Sequence, residues 1–298
     1  MELLTEQVAF INAQVIPWML RLVMLGLGLS LTVEDFRRVF RFPKAAAVGL
    51  TTQIVGLPIA ALLLVLLFDP APAVAVGLII LALCPSGVTS NAYTFAARAD
   101  VPLSVTLTAI TSVITVFTIP FFTSLALEMF MDQSAGPDLP VLGMLQTLLT
   151  LTLFPVLLGM VIRFLWPKFA EKADEPLRKA VLILLFVVLG LGVLSSLNVI
   201  RTEIVSVGFL ALVMNVGTMA LGYGLSRLFR LPIAQVVTIT FEVGVQNLAL
   251  ALAITFNILQ NPDLAVAALV YAVIMPATSL AFVRVGRKMI DAETLTPK

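Results

Sequence analysis

The chain has 298 residues, of which 60% are apolar and only 12% are charged. A soluble protein carries about 25% charged residues, so this chain could not cover a globule with polar surface and is predicted to lie in a bilayer. The net charge of +1 and the lack of histidine argue against nucleic-acid binding and histidine-based catalysis, and the single cysteine excludes an intrachain disulfide.

Apolar segments recur along the whole chain. A helix needs roughly 20 apolar residues to cross the hydrocarbon core, and cutting the sequence at charges, prolines and polar clusters leaves nine such segments. We place them at 11–31, 43–68, 72–98, 101–130, 140–166, 176–198, 203–229, 232–257 and 262–284. The sequence therefore predicts an all-α polytopic membrane protein with nine transmembrane helices.

The basic residues fall mainly on one side of these spans. If the N-terminus is outside, sixteen of the 18 Lys and Arg residues lie in inner loops or at the C-terminal end, with Arg201 outside and Arg21 inside the first span. Because Lys and Arg gather on the cytoplasmic side, we expect an outer N-terminus and a cytoplasmic C-terminus. The segment 1–10 has no basic residue, so we expect no cleaved signal peptide.

Two polar interruptions of the apolar spans resemble each other. The first, 85–91 (PSGVTSN), ends 29 residues before Pro120, and the second, 241–247 (FEVGVQN), ends 29 residues before Pro276. The predicted topology inverts one copy relative to the other, which is typical of secondary transporters whose broken helices meet at the bilayer midplane. Helix packing could explain one such break, but two with equal downstream spacing favour a transporter.

These breaks set the predicted domain boundaries. We assign 11–130 to a first repeat of four spans, broken at 85–91, and 131–289 to a second repeat of five spans, broken at 242–247. The flanking segments are an extracytoplasmic N-terminal segment, 1–10, and a cytoplasmic tail, 290–298.

Glu242 is the one acidic residue deep inside a predicted span, since the other sixteen lie in loops, at span ends or in the tails. A charged residue at a helix centre costs at least about 2.5–3.5 kcal/mol on insertion scales. No Lys or Arg lies near it in the same span, so a bound cation is favoured to offset this cost. The alternative is a protonated Glu242 that bonds to its neighbours.

Neutral oxygen ligands are concentrated near the two breaks. They belong to Ser90 and Asn91, to Gln246 and Asn247, and to Ser104 and Thr108 on the fourth span. These oxygens and a single carboxylate suit a hard monovalent cation, so we predict Na⁺, with H⁺ as the runner-up. Half-helices at the breaks would also point N–H groups at the midplane, which predicts an organic anion as the cargo.

Together these motifs resemble the bile acid:sodium symporter family over nearly the whole chain. The residues that carry the resemblance are 84–91 (CPSGVTSN), 241–248 (FEVGVQNL), Ser104 and Thr108. The resemblance implies a core domain with two crossed broken helices beside a panel domain, alternating access, and, for a bacterial member, the inner membrane. Many bacterial members have ten spans where this chain is predicted to have nine. Relatives often carry Gly-Gly-Thr where residues 86–89 read SGVT.

The resemblance also implies two co-transported sodium ions. The first site would use Ser90, Asn91, Ser104, Thr108 and Glu242. The second would use Gln53, Glu242, Gln246 and the backbone carbonyls of Val243 and Val245. The predicted substrate-binding residues are Thr89, Asn91, Asn247 and Arg21. Cargo in the family includes bile acids, sulfated steroids, pantoate and keto acids.

Arg21 is a prediction from its depth, since it is not a family motif. It lies near the middle of the first span, too far from either end for its side chain to reach water comfortably. We expect it to face the crevice between the domains and to pair with the carboxylate or sulfate of a small substrate. A pair with its own helix's carbonyls or with a lipid headgroup is the alternative.

Three other functions compete with a symporter. An arsenite or antimonite exporter of related fold is kept open by Cys84 beside the first break. A passive channel would need a continuous polar stripe, and an intramembrane enzyme such as a prenyltransferase would need clustered acids for Mg²⁺; the sequence predicts neither. We therefore expect a non-enzyme whose partners are a small organic anion and the lipid bilayer, with no obligate protein partner.

Overall fold

The computed structural model describes residues 14–131, 141–195 and 197–295. The predicted segment 1–10 and the last residues of the predicted tail lie outside this part of the chain. The helices are α1 (Ile16–Ser30), α2 (Val33–Arg41), α3 (Pro43–Phe68), α4 (Pro72–Leu83), α5 (Thr89–Ala96), α6 (Val101–Phe130), α7 (Val141–Leu165), α8 (Pro167–Ser195), α9 (Leu197–Leu228), α10 (Ile233–Gly244), α11 (Leu248–Ile258) and α12 (Val266–Leu295). No strand occurs among the described residues, so the all-α prediction is confirmed.

Several of these helices suit a membrane by length and composition. Among the described residues, five helical stretches qualify by themselves: Pro43–Phe68, Val101–Phe130, Val141–Leu165, Ile204–Leu228 and Pro262–Glu293. A sixth is added if α1 and α2, which meet at a bend of 65°, form one span. The protein is therefore a multi-pass integral membrane protein, while the count of nine spans stays a prediction.

The two predicted interruptions divide spans into shorter helices at the centre of the molecule. Residues 74–83 of α4, 236–244 of α10 and 248–256 of α11 are all buried. Helices that are apolar all round lie either in a protein core or against lipid, and these lie in the core. Here α4 packs against α3, α6 and α12, and α10 packs against α5, α6, α9 and α12. The outer helices supply the exposed apolar surface, as at Leu67, Phe121 and Val205, which suits contact with lipid.

Helices α1 and α7 cross at two glycines. A Cβ atom added to Gly28 would lie 2.1 Å from the Val156 carbonyl oxygen, and one added to Gly159 would lie 2.5 Å from the Leu25 carbonyl oxygen. One helical turn beyond Gly159, Arg163 of α7 donates a hydrogen bond of 2.9 Å to the Leu29 carbonyl oxygen of α1. Small residues at such a crossing let two backbones approach closely, so α1 and α7 form one tightly joined pair.

We expect Gly28→Ala to destabilise the protein because the new methyl group would collide with the α7 backbone. A strained overpacking of this kind costs about 1–3 kcal/mol. The matched control is Gly217→Ala, at an exposed glycine whose added Cβ would meet no atom within 4 Å. Thermal unfolding in detergent measures both, and equal melting temperatures for the two variants would contradict the tight crossing.

Candidate functional site

The two helix breaks meet and pair through their backbones. Cys84 and Val245 adopt extended conformations that end α4 and α10. The Gly87 N–H donates to the Val245 carbonyl oxygen at 3.1 Å, and the Asn247 N–H donates to the Pro85 carbonyl oxygen at 2.9 Å. Segments more than 150 positions apart in the sequence therefore form one small antiparallel crossing.

The crossing is close at Gly87. A Cβ atom there would lie 3.0 Å from the Gln246 carbonyl oxygen, which is tighter than ordinary van der Waals contact. Ser86, the preceding residue, forms an isolated antiparallel bridge with Gln246. The small residue at 87 thus lets the second break lie directly against the first.

Glu242 is buried beside this crossing, with 2% of its surface exposed. Its Oε1 accepts hydrogen bonds from Ser90 Oγ at 2.6 Å and from Ser104 Oγ. Its Oε2 accepts from Thr108 Oγ1 at 2.9 Å and from Ser86 Oγ. The first break, α5 and α6 therefore all supply hydroxyl groups to one carboxylate on α10.

The oxygens of this cluster have more close contacts than they have protons. Ser86 Oγ and Thr108 Oγ1 lie 2.8 Å apart while both also bond to Glu242 Oε2. Two hydroxyl protons cannot serve three contacts, since each hydroxyl has one. Likewise, Ser104 Oγ lies 2.7 Å from Asn91 Oδ1 as well as against Glu242. A cation would pair with these oxygens if they moved apart to admit it. Without a cation, a proton on Glu242 and the opposite orientation of the Asn91 amide would supply the missing donors.

The second predicted group centres on Gln53. This residue lies in a π-helical turn of α3, Thr52–Gly56, and such turns are frequent at functional sites. Its Nε2 donates to Gln246 Oε1 at 3.1 Å and to the Cys84 carbonyl oxygen at 3.2 Å. Gln246 Nε2 donates to the Val243 carbonyl oxygen at 2.7 Å.

One atom of this group lacks a partner. Among the described residues, Gln53 Oε1 is buried and accepts no hydrogen bond. A buried unpaired acceptor costs about 1–3 kcal/mol, and a ligand bound to Gln53 Oε1 would remove this cost. An amide oxygen suits a hard cation.

Hydrogen bonds connect the members of the first predicted sodium group, but in the second group, among the described residues, they connect only Gln53, Gln246 and Val243. Within the described part of the chain, the hydrogen bonds of the Glu242 carboxylate all go to hydroxyl groups of the first group and to Ser86. Of the carbonyls predicted for the second site, Val243 accepts from Gln246 and Val245 accepts from Gly87.

The predicted substrate residues are spread more widely. Thr89 and Asn91 are partly exposed at the start of α5. Asn247 is 5% exposed, and its Oδ1 caps α11 by accepting from the Leu250 N–H at 3.1 Å. Arg21 is half-buried and stacks over the ring of Trp18, with its guanidinium carbon 5.0 Å from the ring centroid. Because Trp18 is 59% exposed, this contact places the Arg21 guanidinium beside an exposed side chain of the same helix.

Sequence reasoning missed Ser86 as a site residue. Its hydroxyl bonds directly to Glu242, and the residue is 1% exposed. A signal was present, because Ser86 is a polar residue inside the first break, as Ser90 is. Only the crossing of the two breaks shows that its side chain points at the carboxylate.

Fold and site together define a helical membrane protein with a buried carboxylate at crossed helix breaks. A family model described as the sodium bile acid symporter family matches residues 17–203. The chain belongs to this family, so the predicted resemblance is confirmed.

Three relatives illustrate the similarity. The probable sodium/metabolite cotransporter BASS1, chloroplastic, of Arabidopsis thaliana is 28% identical over 247 residues, which are 83% of this chain and 60% of that protein. The uncharacterized sodium-dependent transporter YocS of Bacillus subtilis is 26% identical over a stretch that covers 79% of this chain and 71% of the YocS chain. The human ileal sodium/bile acid cotransporter is 28% identical over 78% of this chain and 66% of its own. The chain spans about 60% of the length of the chloroplast relatives.

We expect Ser86→Ala to weaken the binding of sodium, since it removes one oxygen from the Glu242 cluster. A ligand that binds the folded state raises the melting temperature, so thermal unfolding in sodium chloride against choline chloride measures this effect. Loss of one hydrogen bond to a charged group weakens binding by about tenfold. In Ser86→Ala, half of the rise in melting temperature should therefore require about ten times more sodium. Thr255→Val, which removes a buried hydroxyl that bonds only its own helix, should leave the shift unchanged; if both variants match the wild type, Ser86 is no ligand.

Proposed function

We propose that this protein is a sodium-coupled symporter of an organic anion that works by alternating access. The observation that carries the proposal is the Glu242 carboxylate, buried among four hydroxyl groups and short of protons. A monovalent cation both neutralises this charge and fills the coordination of hard oxygen ligands. The relatives named as sodium cotransporters support sodium over a proton.

Two sodium ions are proposed as co-transported substrates. The first would bind among Ser90, Asn91, Ser104, Thr108 and Glu242, with Ser86 added to this group. The second would bind Gln53, Glu242, Gln246 and the carbonyl oxygens of Val243 and Val245. The unpaired Gln53 Oε1 supports the second site. Because the Gln53 and Gln246 side chains bond to each other at 3.1 Å, an ion there would replace that bond.

The architecture proposed for transport has nine spans in two inverted repeats, with the N-terminus outside and the C-terminus in the cytoplasm of a bacterial cell. We assign α1, α7 and α8 to the panel domain and the remaining spans to the core domain. The packing supports this division, because α1 packs chiefly against α7 and α8 and is joined to α7 through Gly28 and Gly159.

The cargo is proposed to bind near the two breaks. The N-terminus of α5 has no side-chain cap, and helix N-termini attract carboxylate and sulfate groups. Thr89, Asn91 and Asn247 would supply polar contacts there. Arg21 is proposed to pair with the anion through N–H groups of its guanidinium, while the guanidinium carbon lies 5.0 Å from the centroid of the Trp18 ring. A bile acid, a sulfated steroid, pantoate and a keto acid all meet these requirements.

Uptake into proteoliposomes tests the function directly. A panel of labelled organic anions is offered with and without an inward sodium gradient, and a symporter accumulates its cargo only with the gradient. Anion flux that is the same with and without the sodium gradient would indicate a passive channel. Metalloid resistance in cells without anion uptake would instead indicate an arsenite or antimonite exporter.

We expect Glu242→Gln to abolish sodium-driven uptake, because it removes the charge shared by both proposed sites while preserving the size of the side chain. Uptake should fall to the level that the wild type shows without sodium. Surface labelling checks that the variant reaches the membrane, and Thr255→Val is the control for loss of a buried polar group. Wild-type uptake by Glu242→Gln would contradict the ion-site assignment.

The two proposed ion sites should be separable by their private ligands. Asn91→Ala or Thr108→Ala should weaken the first site, and Gln53→Ala or Gln246→Ala the second. If two ions bind cooperatively, the Hill coefficient for sodium in uptake should fall toward one in either set. An unchanged sodium dependence in all four variants would assign these side chains to packing alone.

A further inference from the structure

Two side chains that no predicted site uses converge on one backbone atom at the second break. Gly244, two residues after Glu242, ends α10. Its carbonyl oxygen accepts hydrogen bonds from Asn215 Nδ2 of α9 at 2.9 Å and from the Tyr271 hydroxyl of α12 at 2.8 Å. Asn215 and Tyr271 are each 0% exposed, so both bonds are formed away from water.

The orientation of the Asn215 amide follows from its partner. A carbonyl oxygen only accepts, so the amide nitrogen must face Gly244, and it also donates to the Tyr271 hydroxyl at 2.9 Å. Asn215 Oδ1 is then left buried without a partner among the described residues. A leucine at this position would avoid the unpaired acceptor. The amide is therefore explained by what it does to Gly244, since for packing alone it is a poor choice.

The carbonyl held by these side chains lies between two proposed sodium ligands. The carbonyl of Val243 accepts from the Gln246 side chain, and that of Val245 accepts from the Gly87 N–H. In α10's last turn the carbonyl groups lack their usual helical partners, so the direction of each is set by the group that bonds it. Gly244 is also tightly packed, because an added Cβ would lie 2.3 Å from Met219 Cγ.

We infer that Asn215 and Tyr271 are positioning residues that set the sodium affinity of the site at the second break. They hold the Gly244 carbonyl toward α9 and α12, and this restricts the rotation of the neighbouring peptide groups, whose Val243 and Val245 carbonyls are proposed to face the ion. This inference rests on the proposed sodium symport. It assigns a role to two residues that touch neither the ion nor the anion.

Equilibrium binding of radiolabelled sodium to the purified protein tests the inference without knowledge of the cargo. Tyr271→Phe removes only a hydroxyl, and we expect about a 3- to 10-fold higher dissociation constant, the range spanned by the loss of one buried hydrogen bond. The matched control is Thr240→Val, which removes a buried hydroxyl of α10 that bonds only the Val236 carbonyl of its own helix. The control should bind sodium like the wild type.

A second variant acts from the other helix. Asn215→Leu removes the amide donor while keeping the branched shape of the side chain, and it should raise the dissociation constant by a similar factor. If Tyr271→Phe does not fold, Asn215→Leu by itself tests the positioning role. Combining both changes leaves the Gly244 carbonyl with no donor, so the double variant should lose more affinity than the product of the single effects.

The outcomes separate the inference from the proposed function. Sodium binding by the wild type together with wild-type affinity in Tyr271→Phe and Asn215→Leu would overturn the positioning role, even if both variants melt at a lower temperature. The positioning role is also overturned if Thr240→Val weakens sodium binding as much as these two variants do. Failure of the wild type to bind sodium would overturn the proposed symport, and the inference with it.

Discussion

The structure depends on how the backbone is satisfied where two helices break inside the membrane. A broken helix leaves N–H and C=O groups without partners, and the hydrocarbon core has no water to replace them. Here each break satisfies the other, through Gly87 with Val245 and through Pro85 with Asn247. One break alone would be left with unpaired backbone groups. The pairing therefore requires the two halves of the chain to come together at this point.

The crossing also decides where charge can be placed. Glu242 and the hydroxyl groups that bond to it come from α10, from the first break with α5, and from α6. A cation held there would link these helices, so its binding and release would change how strongly they are joined. A ligand can drive a conformational change only through such a difference in affinity between states. The buried carboxylate thus offers a physical route from ion binding to movement.

The surrounding helices enclose this polar centre with apolar side chains. Outer helices carry large exposed side chains such as Phe121 and Val205 toward lipid, while α4, α10 and α11 are enclosed. The pair formed by α1 and α7 is joined mainly at its own glycine crossing. In the proposed mechanism such a unit can move against the core as a rigid body, because α1 packs more extensively against α7 and α8 than against the broken helices.

Patterns in the amino-acid sequence were enough to identify the class of the protein and the location of its polar centre. Apolar runs and isolated polar residues are local signals, and they predicted α3 and α6 at their observed bounds, the two breaks, and Glu242 as the acid inside a span. Tertiary structure alone decided which atoms meet. The contact of Ser86 with Glu242 depends on the rotation of one helix against another, and so does the convergence of Asn215 and Tyr271 on Gly244. A sequence of uniformly apolar helices has no periodic polar face to signal that rotation.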